Sequence, residues 1–233
     1  MSGSAYRLRR WLARLLVTLR VVGHHSRFFQ QLAWSKYDWS TQGEEWTFSE
    51  AWKQAVIERA IAPYVRPDSH VLEIGPGAGR WTAVLLDRAA HVTAVDVTAE
   101  CVEQCRARFA GNEKLSVILN NGASLRKIGA QSVDVIWSFD VFVHLSAAAI
   151  EQYVGQFPRI LKPGGLAVIH HARAGAYAPG WRSNVTIEDV RRSARSAGLQ
   201  VVEEIESLEG NHRLYAYAAD CPDVISVLRV RPA

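Results

Sequence analysis

Residues 71–82, VLEIGPGAGRWT, constrain the fold of this chain more than any other stretch. A mainly apolar run at 71–74 meets a glycine cluster and then the start of an amphipathic segment. That is the pattern of a strand, a tight turn and a helix N-terminus. Gly75, Gly77 and Gly79 let the backbone turn sharply and approach a ligand closely. A dinucleotide-binding fingerprint, G-x-G-x-x-G, would need glycine at position 80, where Arg80 stands. The pattern is instead E-x-G-x-G-x-G, with Glu73 two residues before the first glycine. Taken alone, such a turn is a weak signal, so its surroundings matter.

Apolar runs alternate with helical patterns on either side of it. Strands are expected near 70–74, 92–96, 115–119, 133–138, 166–170, 200–208 and 224–230. Helices are expected near 80–88, 99–109, 146–161 and 186–197, the third N-capped by Ser146 and the last closed by Gly198. The alternation predicts an α/β fold with a seven-stranded, mostly parallel, doubly wound sheet. Two late strands after a single helix predict an antiparallel hairpin at one edge.

The chain has 233 residues, 48% of them hydrophobic and 21% charged, which suits one soluble α/β domain with additions. Its three cysteines, Cys101, Cys105 and Cys221, form no C-x-x-C and no visible zinc or disulfide framework. A reducing cytoplasm is the expected location. The net charge of +4 is unevenly placed. Residues 1–37 hold six arginines and Lys36 and no acid, which leaves 20 basic and 23 acidic residues, a net of −3, for the remainder. The basic arm therefore says little about the core, and charge alone argues for no nucleic-acid partner.

Within that arm, Leu8, Trp11, Leu12, Leu15, Leu16, Leu19 and Val22 recur at helical spacing, with Arg7, Arg10 and Arg14 on the other side. The stretch is too charged for a signal peptide and too short to span a bilayer. Two readings are open: packing on its own domain or on a second subunit of a homodimer, or peripheral contact with an anionic membrane surface. Residues 28–52 are dense in aromatics, including Trp34, Tyr37, Trp39 and Trp46. They read either as a helical lid over a ligand or as a plain packing cluster. Residues 50–62 are helical in pattern and Pro63 ends that helix. The division expected is an N-terminal helix and lid at 1–64 and a ligand-binding domain at 65–233.

Three further features stand at the expected offsets. Asp96 ends the second strand, 21 residues after Gly75, where an acid accepts hydrogen bonds from ribose hydroxyls. Asn121 and Gly122 follow the third strand, and Leu161-Lys162-Pro163-Gly164-Gly165 precedes the fifth. With the glycine motif, these make residues 65–230 resemble the class I S-adenosylmethionine-dependent methyltransferases, which share a Rossmann-like fold. The resemblance implies S-adenosyl-L-methionine as cofactor, its methionine part over the Glu73-x-Gly75-x-Gly77-x-Gly79 loop and its ribose on Asp96 and Val97. It implies adenine near Asn121 and Gly122. Relatives usually carry aspartate where Asn121 stands, and the amide oxygen can still accept that bond. Ser138 at the end of strand four, and Tyr37 and Trp46 of the lid, complete the implied cofactor set.

Strand four runs into Ser138-Phe139-Asp140-Val141-Phe142-Val143-His144, at the edge where ligands bind in open α/β sheets. One helical turn would bring Asp140 and His144 together, and strand five ends at the same edge in His170-His171. Three readings are open. A histidine serves as general base; Asp140, His144 and one of His170 or His171 hold a divalent metal, with Mg or Mn among the candidates; or Asp140 and His144 are structural. Metal-dependent relatives of the ubiquinone and small-RNA pathways look similar here, but Val143 replaces their second acid. The chain as a whole is similar to small bacterial methyltransferases of polysaccharide and glycolipid pathways, including mycobacterial methylmannose polysaccharide synthesis. An O-methyltransferase of a saccharide hydroxyl is the function expected, on a small-molecule or oligosaccharide acceptor. A phenol or quinone precursor as acceptor, or a non-catalytic cofactor-binding module, are the alternatives.

Overall fold

The expected alternation is realised in a computed structural model that describes residues 27–174, 183–208, 212–214 and 223–230. The amphipathic stretch at 5–22 lies outside the described residues. Helix α1 (Arg27–Trp34) leads through a 3-10 turn at Glu44–Trp46 to α2 (Glu50–Val56). A π-turn at Ile57–Ile61 extends α2 before Pro63 stops it, as the sequence predicts. Ser49 caps α2 by accepting from the Trp52 amide.

There follow β1 (His70–Ile74), α3 (Arg80–Leu86), β2 (His91–Asp96), α4 (Ala99–Arg108), β3 (Leu115–Leu119) and β4 (Val133–Ser138). Then come α5 (Ala147–Val154), α6 (Phe157–Ile160), β5 (Leu161–Ala172), α7 (Ile187–Ser196) and β6 (Leu199–Ile205). Short β7 (Ser207–Leu208) pairs with β8 (His212–Arg213), and β9 (Asp223–Val230) closes the chain. The single helix expected at 146–161 is broken near Gly155 into α5 and α6, with Pro158 in the first turn of α6, where its missing N–H costs nothing. The Lys162–Gly165 turn is absorbed into β5 as a bulge, because Val133 pairs with Leu161 while Val135 already pairs with Leu166.

The main sheet has seven strands in the order β3-β2-β1-β4-β5-β9-β6. All neighbours are parallel except that β9 runs antiparallel between β5 and β6. The predicted hairpin is therefore β6 with β9, and β9 inserts inside the edge. Strand alternation sends Val71, Trp137, Val168 and Val227 into one core with Trp52, Ile61, Trp81 and Leu85. Leu72, Ile136, Ile169 and Leu228 face the other core, with Ile150 and Val154 of α5 and Val190 and Ala194 of α7. Residues 52–61 thus share one core with the sheet. No helix among the described residues is long and apolar enough to cross a membrane.

Candidate functional site

At the carboxyl ends of β1, β2 and β4 lies a cavity of about 430 Å³. Its floor is Ile74, Gly75, Pro76 and Gly77, its far wall Val95, Asp96, Val97 and Cys101, and its near wall Phe139, Asp140, Val141 and His144. Trp34, Tyr37, Trp39, Gly43 and Trp46 close it from above. The order β1-β4 against β1-β2 reverses at this point, so the crevice is the topological switch of the sheet.

The glycine loop is shaped by need. Gly75 has φ 75° and Gly77 has φ 56°, both in the left-handed region. A Cβ on Gly75 would lie 2.3 Å from Val141 Cγ2, and one on Gly77 2.9 Å from the Trp39 ring. The Gly75 amide bonds the Val95 carbonyl at 2.8 Å, which ties the loop to β2. Gly79, also left-handed at φ 94°, starts α3 as its N-cap.

Asp96 stands at the end of β2 with Oδ1 accepting from the Thr98 amide (2.9 Å) and hydroxyl (3.0 Å). Its Oδ2 accepts from the Gly77 amide at 3.3 Å. Burial pushes its carboxyl up, and the Thr98 and Gly77 bonds oppose that. Asp96 lines the cavity.

Several expected cofactor residues stand elsewhere. Glu73 points down from β1 under α3 and accepts from the Thr82 hydroxyl at 2.6 Å, and it does not line the cavity. Burial raises its pKa to about 7. Ser138 is also buried, and its hydroxyl bonds the Ile74 carbonyl at 2.9 Å, pinning β4 to β1. The Asn121 oxygen is taken by the amides of Ala123 (3.1 Å) and Ser124 (2.8 Å) in an Asx turn. Asn120 and Gly122, not Asn121, reach the cavity. An amide side chain satisfied by its own loop is no longer an acceptor for a base, and only the local backbone could reveal that.

Tyr37 and Trp46, expected in the lid reading, do line the cavity, their rings 5.8 Å apart. Burial and a bond to Glu45 push the Tyr37 phenol up to about 12, so it is a neutral donor at physiological pH. Trp34 and Trp39, aromatics of the same segment that the implied cofactor set left out, join them. Trp39 lies on Gly77, and Trp34 meets the His144 ring edge-on at 5.4 Å. Gln31 of α1 donates to the Val97 carbonyl at 3.1 Å, and Arg108 reaches the Gln42 carbonyl at 3.4 Å, so this segment is tied down at both ends.

The strand-four cluster does not converge as predicted. Asp140 and His144 are not on one helical turn: Asp140 sits at φ 59°, and a 3-10 turn, Phe142–His144, follows. Both still line the cavity. Asp140 accepts from Arg80 Nη2 at 2.6 Å and lies 3.3 Å from His170 Nδ1. Burial alone would raise its carboxyl, but the His170 bond and the Arg80 guanidinium hold it well below the usual range. His170 is fully buried, stacked on Phe139 at 4.2 Å, with Nε2 3.2 Å from Asp223 of β9. It is out of reach of the cavity and acts on Asp140 instead.

His171 is the clearest correction. Successive strand residues point to opposite faces, so His170 and His171 cannot share a site. His171 bonds Ser226 through Nε2 at 2.8 Å on the other face, and burial lowers its pKa to about 4. Among the described residues no three His, Cys, Asp or Glu side chains come together to hold a metal. The set Asp140, His144, His170 and His171 therefore does not form the metal site that their sequence positions suggested. Arg80, Asp223 and Asn120 are the participants that sequence reasoning missed. Arg80 was visible as the residue replacing a glycine, but its partner Asp140 is 60 residues away.

The family described as "Methyltransferase domain" matches residues 71–165. The chain is similar to the ribosomal RNA small subunit methyltransferase A of Synechococcus sp. (strain RCC307), 28% identical over 145 residues, 60% of this chain and 47% of that one. A probable S-adenosylmethionine-dependent methyltransferase of Mycolicibacterium smegmatis is 33% identical over 110 residues, 47% of this chain and 40% of the relative. The chain thus spans less than half the length of these curated relatives. Among solved structures, a SAM-dependent methyltransferase of Leishmania major superposes with a TM-score of 0.70 at 14% identity, covering 91% of this chain and 89% of that one. Phosphoethanolamine N-methyltransferase 1 of Haemonchus contortus, with phosphoethanolamine and S-adenosylhomocysteine, gives 0.65 at 16% identity, covering 91% and 51%. The left-handed glycine floor, the buried Asp96 at the end of β2 and the antiparallel β9 agree with that match, and residues 71–165 carry a methyltransferase domain.

Proposed function

We propose that this chain is an O-methyltransferase whose acceptor is a hydroxyl of a small saccharide or glycolipid-type molecule, with His144 as general base. The observation that carries this is the position of His144. It is the one histidine on the cavity wall among the described residues, while His170 and His171 are buried and bonded elsewhere. Bound S-adenosylmethionine supplies an electrophilic methyl group on a sulfonium. The chain's own residues do the rest. Asp96 and the Gly75–Gly77 floor hold the cofactor, and Asp140, kept ionised by Arg80 and His170, accepts a hydrogen bond from a neighbouring hydroxyl of the acceptor and so orients the one that reacts. His144 takes the proton as the oxygen attacks, which an aliphatic alcohol needs because it is a poor nucleophile at neutral pH. Trp34, Tyr37 and Trp46 offer ring faces for the apolar face of a sugar and exclude water. A nucleic-acid acceptor is disfavoured by the net −3 charge of residues 38–233.

The test is methyl transfer from labelled cofactor to a panel of saccharides, catechols, quinols and ribosomal RNA, with and without chelator. Saccharide labelling that ignores chelator, and that falls about 10²-fold or more in kcat for His144→Asn with unchanged S-adenosylhomocysteine affinity, is expected. Labelling of a phenol or of RNA instead would overturn the acceptor, and chelator-sensitive turnover would overturn the base. A chain that binds cofactor and labels nothing would be a binding module.

A further inference from the structure

The catalytic steps leave the basic N-terminal arm unused. Residues 1–37 hold six arginines and Lys36 and no acid, against a net −3 for the remainder. Over residues 8–22 seven apolar side chains form one stripe at helical spacing, with Arg7, Arg10 and Arg14 flanking it on one side and Arg9 and Arg20 on the other. Gln30, the first cavity-lining residue among those described, follows eight positions after Val22, the last of the stripe. A chain that short spans at most about 28 Å, so whatever holds the arm holds the cavity close to it. Helix α1 is fastened at that place, with Gln31 donating to the Val97 carbonyl at 3.1 Å. The same edge of the sheet carries exposed apolar and basic side chains. Three large apolar side chains are exposed among the described residues: Phe48 at 54%, Leu119 at 44% and Val202 at 39%. Phe48 stands two residues after the cavity-lining Trp46, and Leu119 ends β3 next to the cavity-lining Asn120. Exposed Lys127 donates to the Leu119 carbonyl at 3.0 Å, and its neighbour Arg126 is exposed too.

Cations flanking an apolar stripe match a surface that is anionic outside and apolar just beneath. We propose that the arm lies on an anionic lipid bilayer and that Phe48 and Leu119 touch the same surface, so that the cavity edge of the sheet faces the membrane. RNA would match the charge but gives a seven-residue apolar stripe nothing to bury against. A second copy would match the stripe but set arginines against arginines, with no acid in either arm to neutralise them. Each arginine near an anionic surface strengthens binding by about fivefold, and three together by about 10²-fold. The exposed acids Asp38 and Glu50 oppose the attraction near the cavity, so the arm supplies it and the two apolar side chains set the orientation. Such binding needs neither cofactor nor acceptor and stands apart from the catalytic proposal. An acceptor carried on a lipid would then reach His144 without leaving the bilayer.

The experiment is co-sedimentation of the whole chain with vesicles of phosphatidylcholine alone and of equal parts phosphatidylcholine and phosphatidylglycerol, at low and high salt, with an RNA oligonucleotide as competitor. The anionic vesicles are expected to bind at least about tenfold more tightly than the neutral ones, and less tightly in high salt. Arg7→Gln, Arg10→Gln and Arg14→Gln together should weaken that binding by about 10²-fold. Leu12→Gln with Leu15→Gln should weaken it at least about tenfold at either salt, which a purely ionic attachment would not show. Phe48→Ser should weaken it at least about threefold, and Val202→Ser should leave it unchanged, because β6 lies at the opposite end of the sheet from β3. Equal affinity for the two vesicles, displacement from them by the RNA, or a dimer in light scattering that ignores both vesicles would overturn the proposal. Equal effects of Phe48→Ser and Val202→Ser would overturn the orientation. Should the arginine variant fail to fold, the paired leucine variant and the salt dependence of the wild type decide.

Discussion

Two buried titratable groups on opposite faces of the sheet should make stability respond to pH in opposite directions. His171 is fully buried with a pKa lowered by burial from 6.5 to about 4. Its neutral form is favoured on folding, so its contribution is complete above 6.5 and is lost as pH falls through 4. Glu73 is buried under α3 with a pKa raised by burial from 4.5 to about 7. Its protonated form is favoured, so its contribution is complete below 4.5 and is lost as pH rises through 7. At 1.36 kcal/mol for each tenfold change, either group accounts for roughly 2 kcal/mol between pH 7 and pH 4.5. The two nearly cancel in the wild type. The perturbations are His171→Asn and Glu73→Gln, which remove one titration each. Urea unfolding of the three proteins at pH 7.0 and 4.5 then gives the change in stability with pH for each. Pre-existing packing costs of a substitution are the same at both pH values and drop out of the comparison. On lowering the pH, His171→Asn should gain roughly 2 kcal/mol relative to wild type, and Glu73→Gln should lose about as much. Parallel pH profiles for wild type and His171→Asn would refute the claim that this imidazole is buried and neutral. Curves shifted in the same direction for both variants would refute the opposing assignment.

Three shorter predictions follow from the site. Asp96→Ala should weaken S-adenosylhomocysteine binding by one to two orders of magnitude in calorimetry, the scale of about 1.5–3 kcal/mol for hydrogen bonds to a charged acceptor; a change below threefold would remove Asp96 from the cofactor site. Asn121→Ala should leave cofactor affinity within about threefold while lowering unfolding stability by roughly 1 kcal/mol, because its oxygen serves the Ala123 and Ser124 amides; a large affinity loss with intact stability would restore it as an adenine ligand. Amide exchange across residues 27–46 should slow at saturating S-adenosylhomocysteine, with a change in tryptophan fluorescence, since Trp34, Trp39 and Trp46 line the cavity; unchanged exchange would leave the segment a packing cluster.

The legible parts of this protein are those where one residue's local chemistry settles its place. Gly75, Gly77 and Gly79 announce a backbone that must take positive φ, and each does so. Alternating apolar runs forced a layered α/β sheet, and two strands after one helix gave an antiparallel pair, with no crossover helix between them among the described residues. Asp96 follows from its place at a strand end, and His144 from its place after β4.

What spacing alone misjudged were side chains with more than one direction open to them. Glu73, Ser138 and Asn121 all sit within one or two residues of the cavity wall, yet each satisfies a nearby donor or acceptor first: Thr82, the Ile74 carbonyl, and two loop amides. Neighbourhood in sequence suggested that one of His170 and His171 joins Asp140 and His144 at a metal; the pleat of β5 sends the two histidines to opposite faces, and neither lines the cavity. Conversely, Arg80, Asp140, His170 and Asp223 form one chain of ionisable groups drawn from positions up to 143 apart, and nothing local in any of them foretells the others. The sequence by itself determined the strand–glycine–helix floor and the layered sheet, since backbone freedom and apolar periodicity are properties of short stretches. Only the tertiary structure decided which polar atoms were left over for a ligand, because a buried donor or acceptor takes whichever partner the packed fold brings within 3 Å, and that partner comes from anywhere in the chain.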